Sequence, residues 1–160
     1  MRHKILRCAL PGAALLLLTS VTPKAQAAQC SSAGVAGKYG FTLTGTVILP
    51  TGAVPIAAVG AATVDANGNV TGIEARTVGG EYADETMRGT LTVNADCTGS
   101  MTVNFYETGQ LVRTSILSIV FDDNQREVRM VQKSLQLPNG AFLPVVITVE
   151  GKKSFTEDED

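Results

Sequence analysis

From residue 38 onward the chain alternates. In "YGFTLTGTVIL" (39–49) and "SMTVNFYE" (100–107), apolar or aromatic residues recur at about every second position. That period turns one face of a β-strand toward a core and the other toward water. Turn signals break the alternation at regular intervals: "DANGN" (65–69), "VGGE" (78–81), "NADC" (94–97), "ETGQ" (107–110), "DDNQ" (122–125) and "PNGA" (138–141). Helical periodicity is sustained nowhere. Regularly spaced short strands with Gly/Asn turns indicate an all-β protein. The pattern predicts eight strands, at about 38–49, 54–65, 69–78, 81–93, 97–106, 111–121, 126–136 and 142–151.

The connections are short, which favours an up-and-down meander. Eight strands of this kind can close into one antiparallel β-barrel, which removes unpaired edges and leaves room inside for side chains or one small ligand. A β-sandwich is the alternative. In the second strand, "PIAAVGAATV" (55–64), the many small residues leave the inward face undecided. In the sixth, "LVRTSILSIVF" (111–121), both faces are fairly apolar, which marks a candidate contact in a homo-oligomer.

The first 27 residues follow a different pattern. Arg2, Lys4 and Arg7 precede an apolar run, and Ala25-Gln26-Ala27 follows it. This is the layout of a secretory signal peptide cleaved after Ala27. The run is too short to span a bilayer, which takes about 20 residues, and no later segment is long and apolar enough. The expectation is an exported protein, periplasmic or extracellular, with a barrel domain over 28–153 and an acidic, disordered tail over 154–160.

Removing the leader changes the available chemistry. It carries the only histidine, His3, and one of the three cysteines, Cys8; the chain has no tryptophan. Four of the 13 basic residues and none of the 15 acidic ones lie in it, so the remainder holds 9 basic against 15 acidic residues, a net charge of −6. No basic nucleic-acid footprint is present. Without histidine the Ser-His-Asp and Cys-His machines cannot be built, and two cysteines alone make no ordinary zinc site. No cofactor and no metal is expected. In an exported chain the remaining pair, Cys30 and Cys97, predicts one disulfide, closing a long loop and stabilising by roughly 2–5 kcal/mol.

The hairpins fix the strand faces. If Gly79-Gly80 is a two-residue turn, Val78 pairs with Glu81, Arg76 with Ala83, Glu74 with Glu85 and Gly72 with Met87. Glu85, Met87, Gly89, Leu91 and Val93 then share the inward face. A three-residue turn Asn94-Ala95-Asp96 sets Val93 opposite Cys97, Gly89 opposite Met101 and Glu85 opposite Phe105. Met87, Leu91, Met101, Val103 and Phe105 become candidate ligand-lining residues. Glu74, Arg76 and Glu85 cluster near the mouth closed by the 78–81 turn. The cluster is either a solvated salt bridge at the rim or a low-polarity site for proton transfer, with Glu85 as the protonated member. Asp65 in "DANGN", and Asp122 with Asp123, read as turn formers. Tyr39, Phe41 and Phe105 read as barrel filling.

Three stretches, "GKYGFTLTGTV", "PIAAVGAATVDANGNVTG" and "GTLTVNADCTGSMTV", resemble a group of small exported bacterial β-barrel proteins. The broader likeness is to lipocalin-like and allene-oxide-cyclase-like barrels. That resemblance implies a carrier of a small apolar ligand, or a structural or interaction protein. Its catalytic alternative is a cofactor-free isomerase, cyclase or lyase using the carboxylates. Fold analogy of this kind leaves the choice open.

Overall fold

The computed structural model describes residues 29–154; residues 1–28, with the expected leader, and residues 155–160, with most of the expected tail, lie outside the described residues. One turn of helix, α1 (Ser32–Val35), precedes nine strands. These are β1 (Gly37–Leu49), β2 (Gly52–Val64), β3 (Asn69–Val78), β4 (Glu81–Val93), β5 (Thr98–Glu107), β6 (Gln110–Asp122), β7 (Glu127–Gln136), β8 (Phe142–Leu143) and β9 (Val145–Lys153). Strands β1 to β7 pair in succession, β7 pairs with β9, and β9 returns to β1, every pair antiparallel. The ring is closed: an up-and-down barrel of eight strands, with β8 as a short extra strand on β7. Closure excludes the sandwich.

The eighth predicted strand, 142–151, is interrupted at Pro144, which has no N–H to give a ladder. Before it, β8 pairs with the end of β7; after it, β9 completes the barrel. The second strand, undecided in sequence, buries Ile56, Ala58 and Val64 and exposes Val59. Its inward glycine Gly60 pairs with Phe41, and a Cβ there would run into the Phe41 ring and the Ile73 carbonyl. Glycine at that point lets an aromatic ring lie across the strand. On its outer side β6 exposes Ile116 and Val120 beside Val131 of β7.

The β3–β4 register is as the turn predicts, with Glu74 opposite Glu85 and Arg76 opposite Ala83. The β4–β5 register is not. Cys97 has φ 67° and lies in the turn, so the three-residue loop is Ala95-Asp96-Cys97, closed by a bond from Asn94 N–H to Thr98 C=O. A left-handed third residue is the usual geometry of such a loop. Moving the loop by one residue moves every pairing by two: Val93 faces Gly99, Gly89 faces Val103, and Met87, not Glu85, faces Phe105. A shift of two leaves the faces unchanged.

Two bulges complete the interior. From the Thr108-Gly109 turn, Glu107 pairs with Gln110 and Tyr106 with Leu111, but Phe105 pairs with Arg113. Val112 is the extra residue, and it turns Arg113 inward while Leu111 stays exposed. In β7, Leu117 pairs with Gln132 and Ile116 with Ser134, so Lys133 is extra and both Gln132 and Leu135 face the core. Bulges re-aim side chains in this way.

One end of the barrel is capped. Val35 of α1 is fully buried there, and Tyr39 donates its hydroxyl to the Val35 carbonyl at 2.6 Å. Burial pushes the Tyr39 phenol up to about 12, so it remains a donor at physiological pH. The Cys30–Cys97 disulfide, with Cα atoms 4.9 Å apart, ties the start of this cap to the β4–β5 turn. The cysteine pair reads as a structural clasp, as its count implied.

Candidate functional site

Between the cap and the opposite end lies an internal cavity of about 70 Å³. Apolar side chains make nearly all of its wall. Met87 and Leu91 from β4, and Met101, Val103 and Phe105 from β5, are the five the sequence nominated, and all of them line it. Glu74, Arg113, Ser115 and Gln132 are the polar exceptions. Pockets for drug-sized molecules run to about 300–1,000 Å³. This one suits a much smaller occupant, the rest of the interior being filled by side chains.

Glu74, Glu85 and Arg76 share the inward side, but not as a solvated rim. The side chains of Glu74 and Glu85 are fully shielded from solvent, and Arg76 retains 17% exposure. The group that joins them is Arg113, which the sequence reading missed. Its Nη2 donates to Glu74 Oε1 at 2.5 Å, and its Nη1 donates to Glu85 Oε2. Its guanidinium carbon lies 3.8 Å from the centre of the Phe105 ring, the partner its bulge assigns it. Arg76 donates from Nε to Glu85 Oε1 and from Nη2 to Glu107 Oε1, each at 2.5 Å. A chain of ion pairs therefore runs from shielded Glu74 to Glu107, whose side chain is 35% exposed.

Electrostatics divide the two carboxylates. Burial pushes the Glu74 carboxyl above the ordinary range, and Glu85 adds to the effect against the pull of Arg113. Burial acts the same way at Glu85, but Arg113 and Arg76 together outweigh it and hold that carboxyl below the ordinary range. The carboxyl driven toward its neutral form is thus Glu74, whereas the sequence reading offered Glu85 for that part in one of its two alternatives. The reason is that the sequence supplied one arginine where the structure supplies two, and both reach Glu85. Glu74 Oε2 is buried with no hydrogen-bond partner. The other two polar lining residues are joined to each other, Gln132 Nε2 donating to Ser115 Oγ at 2.9 Å.

The turn aspartates behave as turn formers. Asp65 accepts from the backbone N–H groups of Asn67 and Asn69, each at 2.8 Å, and from the Asn69 side chain at 2.7 Å. Asp122 pairs with Arg129, and Asp123 pairs with Arg126 at 2.9 Å.

No protein-family model and no curated protein matches the sequence. Among solved structures the chain is similar to EF1p2_mFAP2b bound to DFHBI, at 12% identity and a TM-score of 0.55 over 78% of this chain and 100% of that one. It is also similar to mFAP1, a redesigned β-barrel bound to DFHBI, at 14% identity and a TM-score of 0.50 over 77% of this chain and 98% of that one. At such identities the likeness is one of fold.

Proposed function

We propose that this protein is an exported, small-molecule-binding barrel whose site is the apolar cavity with Glu74 at its wall. The observation that carries the reading is the combination of an almost wholly apolar lining with one unpartnered carboxylate oxygen. Ligand sites commonly pair apolar walls with a few placed polar groups. That mFAP1, a barrel of similar fold, is seen bound to DFHBI supports the capacity of such an interior to hold a small molecule. A disulfide fits the oxidising compartment that the leader implies. Native mass spectrometry on protein purified from its own host tests the reading. A retained small molecule, displaced in a cavity-filling Ala62→Leu variant, is the expected result. Protein that retains nothing, and whose melting temperature toluene does not raise, would overturn it.

A second reading has its own observation. Glu74 and Glu85 are driven in opposite directions, and only Glu74 lines the cavity. Carboxyls driven apart in this way suit proton transfer. On this reading Glu74 moves a proton on a bound substrate in a cofactor-free isomerisation, cyclisation or elimination, and Arg113 steadies the charge left behind. Chemical conversion of the retained molecule by the wild type, lost in Glu74→Gln with binding intact, would favour catalysis over carriage.

A further inference from the structure

The ion-pair network that reaches the cavity through Glu74 and Arg113 carries one more carboxyl than guanidinium. Its connected members are Glu74, Glu85 and Glu107 against Arg76 and Arg113. Among the described residues, the remaining buried polar ones, Ser115 of β6 and Gln132 of β7, are neutral. The excess falls where the cavity is, because Glu74 Oε2 is the buried oxygen that nothing meets. Its side chain is fully shielded, so water outside the barrel does not solvate it.

The cationic groups are committed. Both terminal nitrogens of Arg113 are held by Glu85 and Glu74, and its flat face is turned to Phe105. Arg76 is held by Glu85 and Glu107. An anionic head entering the cavity would find the lining guanidinium of Arg113 already held, and the bare oxygen of Glu74 beside it. A cationic head would meet an unpartnered carboxyl oxygen whose negative charge it would itself compensate. We propose that the occupant is a small apolar amine, bound as its ammonium ion with an N–H group donated to Glu74 Oε2 and its hydrocarbon body against Met87, Leu91 and Val103. The inference rests on the ligand-binding reading above and narrows it. It excludes fatty-acid-like carboxylates, which an apolar barrel would otherwise suit.

The pairing is coupled to a proton. A carboxyl buried like that of Glu74 favours the neutral form, and an ammonium ion arriving at Oε2 takes the place of that proton. Acidification should therefore weaken amine binding and leave neutral ligands untouched.

Amide NMR titrations of the purified protein with n-butylammonium chloride, n-butanol and sodium butyrate at about pH 7 provide the test. Charge-assisted hydrogen bonds are roughly twice as strong as neutral ones, so butylammonium should bind about tenfold more tightly than butanol, with butyrate weakest. Glu74→Gln should remove that preference and keep butanol binding. If the variant loses its amide dispersion, the wild type decides. Its butylammonium-to-butanol affinity ratio should fall between about pH 7 and about pH 4. A flat ratio, equal affinities, or butyrate as the tightest ligand would overturn the inference. Butanol and toluene binding without preference for the amine would overturn this inference alone. Binding of none of these probes would overturn the ligand-binding reading with it.

Discussion

Glu74 and Glu85 face one another across the β3–β4 pair, and a single guanidinium, that of Arg113 on β6, donates to both. Two carboxylates directly opposed on one sheet face repel. Here the repulsion is met by a residue from elsewhere in the barrel, so the β3–β4 hairpin and β6 depend on each other electrostatically. Replacing Arg113 with Met keeps an apolar stem against Phe105 and removes the charge. Breaking a buried ion pair from one side costs about 3–5 kcal/mol. Urea unfolding at about pH 7 should show a loss of that order, smaller near pH 4, where the orphaned carboxyls take up protons.

The two glutamates should oppose each other in their pH dependence. The folded-state carboxyl of Glu74 is raised, chiefly by burial, so its contribution to stability is present in acid and lost as pH rises through the folded value. Glu74→Gln should therefore gain on the wild type in melting temperature as pH goes from acid to neutral. At Glu85 burial is outweighed by Arg113 and Arg76, and the folded value is lowered. Its contribution is present above the ordinary carboxylate range and lost as pH falls through the folded value. Glu85→Gln should show its largest deficit near neutrality, and thermal scans across pH will check both slopes.

Cys97→Ser opens a loop spanning 67 residues of sequence and releases the cap from the β4–β5 turn. A loss of about 2–4 kcal/mol is expected, with the β-type circular dichroism spectrum retained below the lowered transition. Intact mass of alkylated wild-type protein should reveal no free thiol at Cys30 or Cys97 before reduction.

Gly60→Ala should destabilise through overpacking. The added methyl group would meet the Phe41 ring and the Ile73 carbonyl, and the carbonyl, being backbone, cannot withdraw without disturbing the ladder. A cost of about 1–3 kcal/mol is expected by denaturant unfolding. The same change at Gly80, where nothing lies within 4 Å, should act only through its left-handed backbone, φ 96°.

The closed meander was legible because alternation and turn chemistry agree along the whole length, and the Gly79-Gly80 turn alone suffices to bring Glu74 opposite Glu85. Arg113 was not legible. Counting from the Thr108-Gly109 turn without a bulge places Val112 opposite Phe105 and Arg113 on the outer wall. Only the extra residue at Val112 brings the arginine inside, and nothing in "LVRTSILSIVF" announces it, since both faces are apolar. Cys97 shows a gentler failure: the loop length was read correctly, its position one residue early, and the faces survived. Missing Arg113 also hid which carboxyl is driven up, because the balance between Glu74 and Glu85 is set by which of them has two cationic partners.

Both ends of the described chain belong to the capped end of the barrel. Lys153 N–H donates to the Arg126 carbonyl at 2.8 Å and Ser154 N–H to that of Lys38 at 2.8 Å, while Ser31 N–H reaches Gln125 Oε1 at 3.4 Å on the same turn as Arg126. A short linker could thus join residue 154 to residue 30, and new termini could be cut at Gly79-Gly80, giving a circular permutant with every ladder kept. For the same reason a fluorescent partner or surface tether joined at residue 30 or residue 154 would hang from the capped side, leaving the end where Arg76 and Glu107 meet solvent uncovered.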